Sequence, residues 1–321
     1  MTSVSLTRET QTGGARLQRF LLPALLGGLV AIAAALQPSF VSLGNLQNIT
    51  TQAAPLLIVT LGQTLVMLVR GLDLSVASLM ATTAVLAAAF NTMSNAALPV
   101  IFLSAIALSA LVGLVNGLLV TKRNVSPFIA TLAMMIVLQG LRFAYTQGAP
   151  AGELPAALRF LGAGRVLDTP VNLIVFLILF AGLSFALNRT IVGRAIYMVG
   201  GNPRAAELVG IRSDLVTLGG YVAGSVLAGL AGLLLVGYVG TVDNWVGRGY
   251  ELDSIVAAVI GGVSLSGGAG RLGGAAAGAL VLVLIANIVV ILGLPDQAQL
   301  VIKGVVIVAA AAMFARSARR V

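Results

Sequence analysis

Between Arg19 and Arg316 the chain is a succession of apolar stretches, each about 17 to 25 residues long. A helix of that length crosses a hydrocarbon layer at roughly 1.5 Å per residue. No other feature restricts the fold so strongly, because continuous apolar sequence enters lipid only when its backbone groups bond one another. The stretches are rich in Ala and Leu and do not alternate, which disfavours a closed β-barrel. Apolar residues fill 59% of the 321 positions and charged residues 9%, far from the balance of a soluble domain. The expected fold is therefore all-α, a polytopic transmembrane helical bundle of about ten helices.

The few charges orient that bundle. Arg8, Arg16 and Arg19 precede the first apolar run, and Arg316, Arg319 and Arg320 follow the last. Arg70, Lys122, Arg123 and the basic stretch 188–214 fall at the same face if the runs alternate in direction, leaving Arg142, Arg159, Arg165 and Arg248 outside and Lys303 within a span. Both termini are expected in the cytoplasm. The net charge of +9 is thus accounted for by membrane topology and does not call for nucleic acid. The chain has no Cys and no His, which excludes disulfides, thiolate chemistry and His-based catalysis, and no metal site is expected.

Residues 1–18 read as a polar cytoplasmic tail, 19–315 as one transmembrane domain, and 316–321 as a second short tail. The run ending near Gln37 has basic residues ahead of it and small residues near Ala33, as a signal peptide would, but the many later spans make it an uncleaved first helix. Residues 38–52 are polar enough to lie outside the bilayer or along its far face, and crossings are expected at 53–69, 75–90, 98–120, 127–145, 171–187, 215–236, 275–292 and 299–314. A long outer loop, 146–169, offers a docking surface. The five glycines Gly219, Gly220, Gly224, Gly229 and Gly232 predict close helix packing. Trp245, with Tyr238, Tyr250 and Arg248 near it, fits an outer aromatic belt.

Two stretches predict broken helices. In 71–78, GLDLSVAS, Gly71 permits a break and Asp73 or Ser75 can cap the helix that follows; a carboxylate so placed faces protein, water or Arg70, not lipid. In 261–274, GGVSLSGGAGRLGG, the exposed backbone cannot sit against lipid, so the segment is expected among other helices or open to a cavity, crossing or re-entrant. Polar groups near these breaks, Gln63, Asp73, Ser75, Asn116 and Ser264, are the candidate lining of a passage. Asn116 suits an interhelical bond slightly better than a cavity lining, since such amide contacts are common in membrane bundles.

No Gly-x-x-x-x-Gly-Lys-Ser/Thr loop is present, so ATP is not bound by that route. Carboxylates near spans are limited to Asp73 and Asp253, too few for the coordinated sites of self-powered carriers.

Four motifs carry a family resemblance. GQTLVMLVRGLDLSVASL (62–79), NGLLVTKRNVSPFIATLAMMIVLQGL (116–141), GRAIYMVGGNPRAAELVGI (193–211) and AAVIGGVSLSGGAGRLGG (257–274) resemble, in order and spacing, the ribose/xylose-type permease subunits of bacterial ABC importers. The resemblance implies a multi-pass protein of the bacterial inner (cytoplasmic) membrane that carries a monosaccharide or related polyol. Its implied partners are a second permease, ATP-binding subunits, a periplasmic or extracellular solute-binding protein, and membrane lipid. ATP and Mg are implied on the partner subunit and no cofactor in this chain. The coupling region is implied at Gly193, Arg194, Gly200, Gly201, Asn202, Pro203, Arg204, Ala205, Ala206 and Gly210. Arg204 stands where the wider permease pattern has an acid. Asn202 and Pro203 also suit the cap and first position of a short helix on local grounds. Competing readings are a branched-chain amino acid ABC permease, which is distantly similar, and a proton-coupled secondary transporter.

Overall fold

The computed structural model describes residues 11–295 and 297–305, with side-chain surroundings from Leu22 onward. Its helices are α1 (Gln11–Leu36), α2 (Leu43–Leu68), α3 (Val76–Ala89), α4 (Leu98–Lys122), α5 (Pro127–Thr146), α6 (Ala156–Ala163), α7 (Val171–Arg189), α8 (Ile191–Gly201), α9 (Pro203–Leu208), α10 (Ser213–Val239), α11 (Tyr250–Ile260) and α12 (Leu272–Ile291). Residues 297–305 are also helical. The only strands among the described residues are the two-residue pair β1 (Arg165–Val166) and β2 (Thr169–Pro170), an antiparallel turn whose tip holds Leu167 and Asp168 at positive φ. The fold is an all-α bundle, as composition required.

Six segments among the described residues are long and apolar enough to cross a bilayer: Leu43–Leu68, Asn95–Lys122, Pro127–Thr146, Val171–Arg189, Ser213–Val239 and Leu272–Ile291. The expected last crossing, 299–314, lies mostly outside the described residues, as do most of the two tails. Helix α1 begins at Gln11, inside the segment read as tail. Helix α2 begins ten residues before the expected span at 53, because its polar first turns find partners within the protein: Gln47 Nε2 donates to the Asp168 carbonyl at 3.1 Å, and Asn45 and Asn287 exchange amide bonds at 3.1 and 3.2 Å. A polar side chain satisfied by a neighbouring helix no longer needs water.

Helix α10 is the centre of the bundle, touching α2, α3 and α4 through glycines. A Cβ on Gly62 of α2 would stand 2.8 Å from the Gly224 carbonyl oxygen. One on Gly113 of α4 would stand 2.7 Å from the Tyr221 carbonyl, and one on Gly232 would stand 2.6 Å from Met80 Cα of α3. Backbones approach this closely only where side chains are missing, and dispersion contacts along such seams hold membrane helices together. Gly219 differs from the other four: its Cβ would meet nothing within 4 Å.

Helices α3 and α11 are half-length, at 14 and 11 residues, or about 21 and 16 Å. Their missing halves lie at opposite ends. Ahead of α3, residues 71–75 lead in from the Arg70 end of the bundle without helical structure. Ahead of α11, the loop 240–249 dips inward from the opposite end, so that Asn244 and Val246 are buried and Gly247 lies against Met80. The half ahead of α11 is therefore loop, and the glycine-rich stretch expected as a break follows α11 at its other end. Residues 261–271 form a turn at the basic end, where the Gly268 N–H donates to the Leu68 carbonyl at 3.0 Å.

Arg142, expected near the outside, is instead 4% exposed. Its Nη1 donates to the Ser78 carbonyl at 3.0 Å and to Thr82 Oγ1 at 3.3 Å, fixing α5 to α3. At that end the Arg248 guanidinium lies 4.8 Å over the Trp245 ring, and Phe143, which the sequence did not single out, meets that ring edge-on at 5.5 Å.

Candidate functional site

The break at 71–75 carries a buried polar knot. Asp73 is fully buried; its Oδ1 accepts from the Ser75 N–H at 2.8 Å and from Ser75 Oγ at 2.6 Å. Ser75 caps α3 by position without a side-chain cap bond, so the carboxylate shapes the turn that leads into the helix. Asn116 of α4 donates through Nδ2 to Ser75 Oγ at 3.0 Å. Oriented with Nε2 toward the Asp73 carbonyl, the Gln63 amide donates to it at 3.1 Å and accepts from the Asp73 N–H at 3.2 Å. Ser225 Oγ of α10 stands 3.5 Å from Asp73 Oδ2, and Thr131 Oγ1 of α5 accepts from the Leu74 N–H at 3.1 Å.

Four of the five expected lining residues, Gln63, Asp73, Ser75 and Asn116, therefore meet at one point, all at 0% exposure. Ser264 does not join them. It lies in the turn 261–271, where its Oγ accepts from the Ser266 N–H at 3.2 Å. Arg70 does not pair with Asp73 either. Sequence reasoning passed over Ser225, Thr131 and Tyr221, whose ring fills the space beside Gly71; a lone hydroxyl in an apolar helix gives no local sign of its partner. Within the knot, Asn116 Oδ1 is buried and meets no donor. Buried polar atoms are nearly always paired, so Asn116 Oδ1 stands out as an unused acceptor within the knot.

The segment 188–214 builds the second feature. Thr190 caps α8, its Oγ1 accepting from the Gly193 N–H at 3.4 Å. Asn202 then caps α9 through Oδ1, which accepts from the Ala205 N–H at 3.1 Å, with Pro203 at the first helical position. Gly210, at φ +84°, ends the helix, and the Ile211 N–H returns to the Ala206 carbonyl at 3.0 Å. Ser213 Oγ donates to the Pro203 carbonyl at 3.0 Å, and Lys122 pairs with Asp214 at 2.6 Å, tying the segment to α10 and α4.

The expected coupling residues divide by exposure. Gly193, Gly200 and Ala206 are buried and serve the packing of the segment. Arg194, Gly201, Asn202, Arg204, Ala205 and Gly210 are exposed, as are Leu208 and Val209, at 89% and 64%. Beside them a groove of about 340 Å³ runs along Lys122, Glu207 and residues 210–215. A short capped helix that offers a leucine and a valine to solvent is an unpaired apolar surface.

Behind α8, Arg70 donates through Nε to the Gly200 carbonyl at 2.7 Å and through Nη2 to the Gly201 carbonyl at 2.6 Å. Tyr197 Oη donates to the Gly270 carbonyl at 2.9 Å. Burial raises the pKa of that phenol, with Arg271 opposing, so it remains a proton donor at neutral pH.

A family profile described as branched-chain amino acid transport system / permease component matches residues 45–311. The chain belongs to that permease family. It is 40% identical over 286 residues to the ribose import permease protein of Escherichia coli (strain K12), covering 88% of this chain and 89% of the relative. The corresponding protein of Bacillus subtilis (strain 168) is 38% identical over 284 residues, 88% of each chain. The galactose/methyl galactoside import permease protein of Escherichia coli (strain K12) is 33% identical over 304 residues, covering 89% and 90%. No solved structure gives a significant match. The matched region takes in the polar knot, the 188–214 segment and the turn 261–271, and the chain is a multi-pass membrane protein of this permease family.

Proposed function

We propose that the chain is the membrane permease subunit of a binding-protein-dependent ABC importer for a monosaccharide, placed in the bacterial inner membrane. What carries the reading is similarity along nearly the whole length to relatives named as ribose and galactose import permeases. Two such chains form the passage, ATP-binding subunits holding ATP and Mg dock at the basic end, and a solute-binding protein delivers the sugar at the other.

The knot suits a polyol substrate. Gln63, Asp73, Ser75, Asn116 and Ser225 present hydroxyl, amide and carboxylate groups that satisfy one another when closed and can satisfy sugar hydroxyls when parted. Retention here need only be weak, since capture belongs to the binding protein. Helix α9 is the contact with the ATPase: Arg204, Leu208 and Val209 enter its cleft, while Ala206 and Gly210 hold the helix in shape. ATP binding moves the passage only to the extent that it favours one conformation of that contact over another.

Uptake into vesicles tests the proposal. The chain, reconstituted with its ATP-binding subunit and binding protein, takes up radiolabelled ribose or galactose only when ATP is present. Uptake by the chain alone, or uptake abolished by collapsing a proton gradient, overturns it in favour of a secondary carrier. Stimulation by leucine in place of a sugar would assign the chain to the amino acid branch.

A further inference from the structure

We propose that Arg70 is a positioning residue that carries motion from the coupling segment 188–214 to the Asp73 turn; the proposal rests on the coupling role just given. Two glycine-bearing stretches, 200–201 and 267–268, meet the end of α2 at one point. The Gly268 N–H bonds the Leu68 carbonyl at 3.0 Å. A Cβ on Gly200 would collide with Leu68 O and stand 2.5 Å from Gly268 N, and one on Gly268 would stand 2.5 Å from Gly201 N. A Cβ on Gly267 would run into Arg70 Cγ. Backbone rests directly on backbone here, so none of the three stretches shifts without the others.

Arg70 closes this junction from a costly position. Helix α2 ends in a paired-bond motif, with the Arg70 N–H on the Met67 carbonyl at 3.0 Å and the Gly71 N–H on the Val66 carbonyl at 2.8 Å. Arg70 itself takes left-handed backbone, φ +66°, where glycine is the ordinary occupant. Local stability alone favours glycine. What arginine adds is its fork on the Gly200 and Gly201 carbonyls, the last of α8, which lack a helical partner and carry the negative end of the helix dipole. Strain retained at one residue and spent on a contact 130 positions away marks that contact as functional.

The geometry sets a direct route. Asn202 and α9 follow Gly201 in sequence, and Asp73 follows Arg70 by three residues. A displacement of α9 pulls the α8 carbonyls, the guanidinium and then the turn that Gln63 and Asn116 hold closed.

Hydrogen exchange on the full complex in lipid nanodiscs tests this, with and without ATP plus vanadate. In the natural chain, exchange changes on nucleotide trapping both at 203–211 and at 71–76. In Arg70→Gly, whose backbone suits φ +66°, the change at 203–211 persists, and that at 71–76 falls at least threefold. Arg70→Lys, which keeps the charge and loses the fork, gives an intermediate response. An undiminished response at 71–76 in Arg70→Gly overturns the proposal. Absence of any nucleotide response at 203–211 in the natural chain overturns the coupling reading itself, and the two failures are told apart by the segment in which they occur.

Discussion

Lys303 Nζ and Asp253 Oδ2 meet at 2.7 Å with 18% and 16% of their side chains exposed, joining α11 to the helical stretch 297–305. Neither charge has an alternative partner of opposite sign among the described residues. Removing one leaves the other without compensation in an apolar setting. Asp253→Asn or Lys303→Met is therefore expected to cost about 3 kcal/mol, whereas Asp253→Asn with Lys303→Met recovers most of it. Thermal unfolding of the purified chain in detergent checks the cycle.

The seam of α10 makes a sharper distinction than its glycine content suggests. Gly232→Ala drives a Cβ into the Met80 backbone, 2.5 Å from its carbonyl oxygen, and is expected to cost about 2 kcal/mol. Gly219→Ala meets open space and leaves stability unchanged or slightly raised. Midpoints of heat-induced aggregation for the two variants are expected to differ in that order.

Variants of α9 separate docking from folding. Leu208, at 89% exposure, touches almost nothing in this chain, so Leu208→Asp keeps the thermal midpoint and weakens ATPase binding at least tenfold, about 1.4 kcal/mol. Ala206 is 1% exposed, so Ala206→Asp buries a charge and lowers the midpoint before any partner is added. Gly210→Val forces a branched side chain into φ +84° and is expected to strain the turn by about 1–2 kcal/mol. Co-purification with the ATP-binding subunit, alongside thermal midpoints, reads both effects.

At the knot, Asp73→Asn and Asn116→Leu are expected to lower sugar uptake at least tenfold while ATP-binding subunits still co-purify with the chain. The affinity of the isolated binding protein for sugar is unaffected, since it lies on another chain. Equal uptake by Asn116→Leu and the natural chain removes Asn116 from the passage.

Much of this was legible because it follows local rules. Asn202, Pro203 and Gly210 announce a short capped helix in their own order, and continuous apolar runs announce a bundle. Gln63, Asp73 and Asn116 stood out as polar groups that lipid would not tolerate. Ser264 was misplaced because a glycine-rich stretch specifies permissive backbone without specifying depth. The Lys303–Asp253 pair spans 50 positions, and the Arg70 fork spans 130; long-range partners leave no periodicity to detect. Residues 240–249 gave no warning that they dip inward, since a loop that finds partners among neighbouring helices looks like any other loop.

Helices α3 and α11 have a consequence for how movement at the two ends of the bundle is divided. One is interrupted toward the basic end and the other toward the opposite end, so at each end a non-helical stretch leads into a rigid half-length rod. Movement of either stretch then requires no full-length rod to tilt. The two stretches belong to different rods, so a rearrangement at one end of the bundle does not of itself carry the other end along.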